Sequence, residues 1–177
     1  MSLADTSHRA FPAFYWYIVY NLNQIIMPVA KLVEFLNANN IKFVSIRHSK
    51  AYTANEIAHS AHIHGQELAK TVVIRVNGKM ALAVLPASGR VHPDMLKEVI
   101  GAESVSVCNE REFLDKFPGC ELGAMPPFGN LYGMDVYVST ALTEDKEIAF
   151  NAGTLTELIR LSYKDFENLV KPKILRF

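Results

Sequence analysis

Lys70 is the first side chain whose chemistry stands out from its surroundings. It immediately precedes residues 71–74, Thr-Val-Val-Ile, a run with the β-branched, apolar character of a buried strand. An ammonium group at the end of such a strand can point into a cleft and stabilise an anion or a polarised carbonyl. The alternative is a snorkelling lysine, which lays its stem along apolar surface and keeps its charge in water. The sequence therefore marks Lys70 as a candidate, with snorkelling as the competing interpretation.

A second candidate is the uncharged loop at residues 123–130, Gly-Ala-Met-Pro-Pro-Phe-Gly-Asn. Two glycines and two prolines make a stiff loop whose backbone N–H and C=O groups stay accessible, and such groups can bind a small polar substituent. A simple tight turn is the alternative.

Other reactive residue types give weaker indications. His59, His62 and His64 are close in sequence, but a metal site needs three or four ligands that converge on one point, so we expect solvated histidines and no metal. No G-x-S-x-G, P-loop or G-x-G-x-x-G motif is present, so no cofactor is implied. Cys108 and Cys120 are expected to be reduced thiols.

The elements that must position these groups form an irregular alternation of strands and helices. Asn77-Gly78 separates two apolar runs and predicts a type I′ hairpin at the centre of the sheet. Thr53 and Glu56 predict a capping box at a helix start, and Ser162 is expected to cap the last helix. Helices are predicted at 28–36, 53–65, 93–100, 109–117 and after 162, and strands at 42–48, 71–76, 79–85, 104–107, 135–138 and 147–150, with 155–161 ambiguous. This pattern favours an α/β (α+β) fold in which helices surround a mixed sheet.

Composition fits one soluble globular domain. The chain has 177 residues, half of them hydrophobic, and 18 basic against 18 acidic residues, so bulk charge does not attract it to nucleic acid. Residues 1–26 are set apart by an aromatic apolar stretch at 10–20, too short to span a membrane. We therefore expect an N-terminal extension at 1–26 and one domain at 27–177. A membrane or partner anchor at 10–20 is the alternative.

Several short motifs occur in a recognisable order. They are Ala-Lys-Thr-Val-Val at 69–73, Ala-Val-Leu-Pro-Ala at 83–87, the 123–129 loop and Phe-Asn-Ala-Gly at 150–153. Together they resemble the bacterial YbaK-type aminoacyl-tRNA deacylase family, whose domain is also inserted into bacterial prolyl-tRNA synthetases. The resemblance covers about residues 28–172. It implies a curved mixed β-sheet, partly closed like a barrel and wrapped by helices.

The resemblance also implies site residues. Lys70 matches the essential lysine of the family, and Gly123 and Pro127 match the ends of its G-x-x-x-P loop. The implied catalytic residue is Lys70, and the implied substrate-binding residues are Gly123, Ala124, Met125, Pro126, Pro127, Phe128, Gly129, Asn151, Ala152 and Gly153.

The implied activity is hydrolysis of the aminoacyl ester of mischarged tRNA, with tRNA for proline carrying a small amino acid as the expected substrate. The expected partners are the tRNA acceptor end and, as a candidate, prolyl-tRNA synthetase, with no cofactor and no membrane, in the cytoplasm. The resemblance suggests that the 2′-hydroxyl of the terminal ribose helps to activate water. A non-catalytic module that binds tRNA or an aminoacyl group is the alternative.

Overall fold

The computed structural model describes residues 28–53, 56–57, 59, 61, 63 and 67–177. In this part, helices surround one curled, half-barrel sheet, which confirms the predicted fold class. The helices are α1 (Pro28–Ala38), α2 (Pro93–Ile100), α3 (Glu110–Phe113) and α4 (Tyr163–Val170). The strands are β1 (Phe43–Arg47), β2 (Leu68–Val76), β3 (Lys79–Pro86), β4 (Val105–Val107), β5 (Asp135–Ser139), β6 (Glu147–Thr154), β7 (Glu157–Ser162) and β8 (Lys173–Leu175).

The sheet is mixed and branches at β2. The strand order is β1-β7-β6-β2-β3-β5-β8, and β4 pairs with β2 outside this path. Three neighbouring pairs are parallel (β2 with β6, β3 with β5 and β5 with β8), and the others are antiparallel. On the side of β2 away from β3, the strand therefore meets β6 near its start and β4 near its end. This branch creates the gap that the candidate site occupies.

The hairpin between β2 and β3 forms where the sequence predicts it. Asn77 and Gly78 both adopt positive φ angles, 48° and 81°, as a type I′ turn requires. Asn77 Oδ1 also accepts hydrogen bonds from the backbone N–H groups of Glu103 and Ser104, so the turn is tied to the chain that leads into β4. The two strands occupy the centre of the sheet, as expected.

Helices and loops cover both faces of the sheet. On one face, the largest apolar cluster includes Leu32 and Leu36 of α1 and Phe166 of α4. On the other face lie two smaller clusters. The first contains Ala51, Ile57, Ile63, Leu68, Ala87, Ala149 and Leu158. The second packs Leu96 of α2 against Ile74, Ala81, Ala83 and Tyr137.

The outcomes of the local predictions differ from element to element. The capping box is confirmed, because Thr53 N–H donates to Glu56 Oε2 at 3.1 Å and Glu56 N–H donates to Thr53 Oγ1 at 3.2 Å. The ambiguous segment is largely a strand, β7, and β6 continues beyond the predicted end to Thr154. Ser162 occupies the N-cap position of α4, as expected, but its side chain makes no capping hydrogen bond to the helix. Strand β8 was not predicted.

Some predictions lie outside the described residues. These are the N-terminal extension at 1–26, with its aromatic stretch, and the two histidines His62 and His64. Among the residues that the structure describes, no helix is both long enough and apolar enough to cross a membrane.

Candidate active site

Lys70 lies near the start of β2, and its ammonium group is held by two backbone carbonyls. Lys70 Nζ donates to Ala87 O at 3.0 Å and also to Gly89 O. These carbonyls are available because the chain turns after β3 ends, with Gly89 N–H bonded to Pro86 O at 2.9 Å. The Lys70 side chain is therefore fixed in direction, which neither interpretation from sequence foresaw.

The environment makes this ammonium group unusual. Partial burial, together with the nearby positive charge of Arg90, holds the pKa of Lys70 below its ordinary value of 10.5. An ammonium group has three donors, and two of them are used by the carbonyls of Ala87 and Gly89. The third remains for a substrate, and a partly desolvated cation attracts an oxygen more strongly than a fully hydrated one does.

Lys70 and Asn151 occupy equivalent positions where two strands separate. Strands β2 and β6 pair only at Leu68 with Ala149 and at Ala69 with Phe150. Lys70 and Asn151 are the next residues along the two strands. Because side chains two residues apart share a face of a strand, both lie on the face where Leu68 and Ala149 pack. The structure thus brings the two predicted site residues to the same edge of the gap.

The glycine-rich loop is hydrogen-bonded to β6 across this gap. Asn151 Nδ2 donates to Gly123 O at 3.2 Å, and Gly153 N–H donates to Ala124 O at 2.9 Å. The register of β6 against β7 shifts between Asn151 and Thr154, and Gly153 has a φ of 102°. This irregularity turns the backbone of residues 151–153 towards the loop instead of continuing the sheet.

Most of the predicted loop residues support the loop and do not line an open surface. Gly123 is exposed, whereas Ala124, Met125, Pro126, Pro127, Phe128 and Gly129 are all buried. The Phe128 ring lies between Phe35, Phe150 and Phe166, with ring centroids 5.5 to 6.1 Å away. Ala152 is buried in the same cluster as Phe128. The loop is therefore anchored in the main core and presents Gly123 at its tip.

A cleft of about 650 Å³ opens beside Gly123 on the opposite face of β2 from Lys70. Strand β2, the β4–α3 connection and the loop line it with Thr71, Val72, Val73, Cys108, Asn109, Glu110, Arg111, Phe113, Gly123 and Met125. The Thr71 hydroxyl oxygen is buried and has no hydrogen-bond partner among the described residues. Of the predicted site residues, only Gly123 and Met125 line this cleft. Thr71, Val72 and Val73 directly follow Lys70 but look like ordinary strand residues in the sequence, and the remaining lining residues, 108–111 and Phe113, come from a segment that is distant in sequence from Lys70.

Both cysteines and one histidine of the 59–64 cluster, His59, lie within the described residues. Cys108 and Cys120 are free thiols, and burial raises the pKa of both. His59 is exposed, and no cluster of potential metal ligands occurs in the described ranges.

Comparisons of the sequence with known proteins identify a family. A family model for the aminoacyl-tRNA editing domain matches residues 48–169, which include Lys70, the loop and residues 151–153. The chain is 29% identical over 155 residues to the multifunctional Ser/Thr-tRNA deacylase ProXp-y of Escherichia coli K12, covering 83% of this chain and 90% of that protein.

Solved structures share the fold at low sequence identity. A crystal structure of a candidate trans-editing enzyme for prolyl-tRNA synthetase superposes with a TM-score of 0.71 at 19% identity, covering 85% of this chain and 97% of the other. A hypothetical protein superposes with a TM-score of 0.72 at 20% identity, covering 81% and 96% of the two chains. The family match extends over most of the chain, and so this protein belongs to the aminoacyl-tRNA editing domain family, the YbaK-type family of aminoacyl-tRNA deacylases that trans-edit mischarged tRNA.

Proposed function

We propose that this chain hydrolyses the ester of tRNA for proline that carries a wrong, small amino acid, with serine and threonine as the foremost substrates. The observation that carries this proposal is the position of Lys70 beside Asn151 and the exposed tip of the loop at Gly123. The similarity to a relative named a Ser/Thr-tRNA deacylase supports the choice of amino acids. In this role the chain acts in the cytoplasm on the product of prolyl-tRNA synthetase, its candidate partner.

Hydrolysis of the ester requires the protein mainly to position the reacting groups. An aminoacyl ester is already activated, so the site needs to hold the ester, orient one water molecule and stabilise the charge that develops on the carbonyl oxygen. The remaining donor of Lys70 supplies a positive charge for the ester or for the adjacent ribose and phosphate. The backbone at Gly123 supplies accessible polar groups for the ester or the α-amino group. The 2′-hydroxyl of the terminal ribose is the group that would orient the water.

The cleft beside Gly123 supports a preference for hydroxyl-bearing amino acids. Val73, Phe113 and Met125 give it apolar walls, and the buried Thr71 hydroxyl lacks a partner that a substrate hydroxyl would supply. With about 650 Å³, the cleft is larger than one small side chain needs. Because one methylene changes binding by only ~1–3 kcal/mol, we expect partial cross-reactivity between seryl, threonyl and alanyl esters.

The test is a deacylation panel with the purified full chain. The substrates are tRNA for proline charged with serine, threonine, alanine or proline, and the variants are Lys70→Ala and a control, Lys79→Ala. Lys79 is an exposed lysine at the other end of the hairpin. We expect hydrolysis of the first three substrates, and a fall in kcat of at least roughly 100-fold for Lys70→Ala, typical of losing one group that stabilises developing charge. Lys79→Ala should keep the wild-type rate.

Other results would change the conclusion. Tight binding of charged tRNA without any hydrolysis would favour the non-catalytic binding module. Wild-type turnover by Lys70→Ala would remove Lys70 from the catalytic machinery and leave the loop as the remaining candidate. Thermal unfolding of each variant, run in parallel, separates lost activity from lost structure.

A further inference from the structure

Tyr52 presents an exposed aromatic ring on a fixed backbone. Its exposed fraction of 71% is the highest among the large hydrophobic side chains of the described residues. The preceding residue, Ala51, is buried, and its N–H donates to Leu155 O at 3.4 Å. The N–H of Tyr52 itself donates to Glu56 Oε2 at 3.1 Å. The backbone that carries the exposed ring is therefore held at a defined place.

A chain of contacts links this ring to the candidate active site. Lys50 Nζ lies 5.5 Å from the centroid of the Tyr52 ring and 3.7 Å from Glu121 Oε1. Glu121 begins the segment that leads into the loop, and its N–H donates to Gly153 O at 2.9 Å. The same carboxylate accepts a hydrogen bond from Leu155 N–H. Lys50 and Tyr52 thus stand at the rim of the site, next to the anchored base of the loop.

Ala51, the residue before Tyr52, links the same segment to the surroundings of Lys70. Ala51 packs in the apolar cluster that contains Leu68, two residues before Lys70, and Ala87, whose carbonyl oxygen holds the Lys70 ammonium. The segment that carries Tyr52 therefore packs, through Ala51, against the residues that flank and hold Lys70, and Lys50 links it to the base of the loop.

We propose that Tyr52, together with Lys50, forms a stacking platform for the 3′-terminal base of the tRNA substrate. This inference rests on the proposed function, because the ester to be hydrolysed is carried by the terminal ribose, and the base on that ribose must lie within one nucleotide of the reacting carbonyl. Bases of a single-stranded RNA end stack readily on exposed tyrosine rings. Lys50 supplies a cation beside the ring for the adjacent phosphate.

The charge of the whole chain makes such a platform useful. With 18 basic and 18 acidic residues, the protein has no excess positive charge with which to attract the tRNA backbone. Stacking holds a nucleotide without net charge and without sequence-specific hydrogen bonds. A platform at the rim would fix the terminal nucleotide, and with it the ester, relative to Lys70 and Gly123.

The experiment compares Tyr52→Ala, Tyr52→Leu and Tyr52→Phe in the full chain, with Ile174→Ala as the matched control. Ile174 is a partly exposed apolar residue on β8, at the other edge of the sheet. We expect Tyr52→Ala to raise KM for seryl-tRNA roughly 5- to 100-fold with little change in kcat, the range that one lost base stack gives. Tyr52→Leu, which keeps apolar area without a ring, should behave like Tyr52→Ala, and Tyr52→Phe like wild type.

A binding measurement separates this inference from the proposed function. The RNA trinucleotide CCA and the dinucleotide CC, neither carrying an amino acid, are titrated into wild type and Tyr52→Ala, and binding is followed by NMR. We expect tighter binding of CCA than of CC by wild type, and loss of that difference in Tyr52→Ala. CCA binding that is unchanged in Tyr52→Ala would overturn the platform, whether or not wild type hydrolyses the ester. Absence of hydrolysis by wild type, with CCA binding that still depends on Tyr52, would overturn the proposed function alone.

Discussion

At the scale of single residues, the Thr71 hydroxyl is a polar group in the cleft that makes no hydrogen bond within the described residues. Its oxygen is buried without a partner among the described residues, in the wall of the cleft beside Gly123. A buried hydroxyl without a partner costs free energy, so its replacement by an isosteric methyl group should not destabilise the fold. This residue therefore offers a test of how the cleft distinguishes amino acids.

We predict that Thr71→Val lowers kcat/KM for seryl- and threonyl-tRNA roughly 3- to 10-fold and leaves alanyl-tRNA unchanged, as the loss of one hydrogen bond to substrate would do. The free energy of unfolding, from urea titration, should stay the same or rise by about 1 kcal/mol. Thr71→Ser serves as the control that keeps the hydroxyl. An equal fall for all three substrates would mean that Thr71 shapes the cleft and does not recognise a hydroxyl.

The sequence singles out candidate reactive groups more readily than it predicts their hydrogen-bond partners. Lys70 stands out because one charge precedes an apolar run, a signal that local sequence carries. Its partners, the carbonyls of Ala87 and Gly89, become available only after the chain turns at Pro86. Thr71 gave no signal, because a threonine is ordinary in a strand and becomes distinctive only through what surrounds its hydroxyl.

At the scale of elements, the loop acts through its conformation. Gly123 has a φ of 84°, and a Cβ added to it would meet no atom within 4 Å. A substitution there meets no clash and costs only backbone strain, about 1–2 kcal/mol for a left-handed conformation. Gly101, at the end of α2, has a φ of 71° and equally open space, and it lies outside the cleft. The two glycines form a matched pair for an experiment.

We predict that Gly123→Ala and Gly101→Ala lower the free energy of unfolding by similar amounts, about 1 kcal/mol each, whereas only Gly123→Ala impairs deacylation, by roughly tenfold or more. The reason is that relaxation of the strained backbone moves the carbonyl that Asn151 holds at 3.2 Å, and small displacements of a positioned group reduce rates strongly. Denaturant titration and single-turnover deacylation measure the two effects. Equal activities of the two variants would show that the tip of the loop does not position substrate.

Elements defined by local sequence were predictable, and long-range pairings were not. The Asn77-Gly78 hairpin and the Thr53–Glu56 capping box each depend on a few adjacent residues. The parallel pairing of β2 with β6 joins residues about eighty positions apart over only two residue pairs, and no local pattern encodes it. Yet that short pairing, and the separation of the strands after it, create the site. Strand β8 was missed for the same reason, because it is short and pairs with β5 far earlier in the chain.

At the scale of the whole molecule, one sheet carries both parts of the site and both of its supports. The main core anchors the loop through Phe128, and the smaller cluster on the other face anchors the segment before Tyr52 through Ala51. The two anchors meet at β6, where Phe150 packs in the main core and Ala149 packs in the smaller cluster that contains Ala51. The described domain therefore needs α1 for its core.

We predict that a chain starting at Met27 folds and deacylates like the full chain, with kcat/KM within about twofold and an unfolding midpoint within a few degrees. The family match begins at residue 48, and α1 already supplies Leu32 and Leu36 to the main core. A chain starting at Ile41, which lacks α1, is the control. It loses two fully buried leucines, each contributing about 1.5–3 kcal/mol, and should unfold at a much lower temperature or fail to fold.

If the chain from Met27 also failed to fold, residues 1–26 would belong to the core and not to an extension. If it folded but lost activity on tRNA while keeping activity on a short aminoacylated RNA hairpin, the extension would have a role in binding the body of the tRNA.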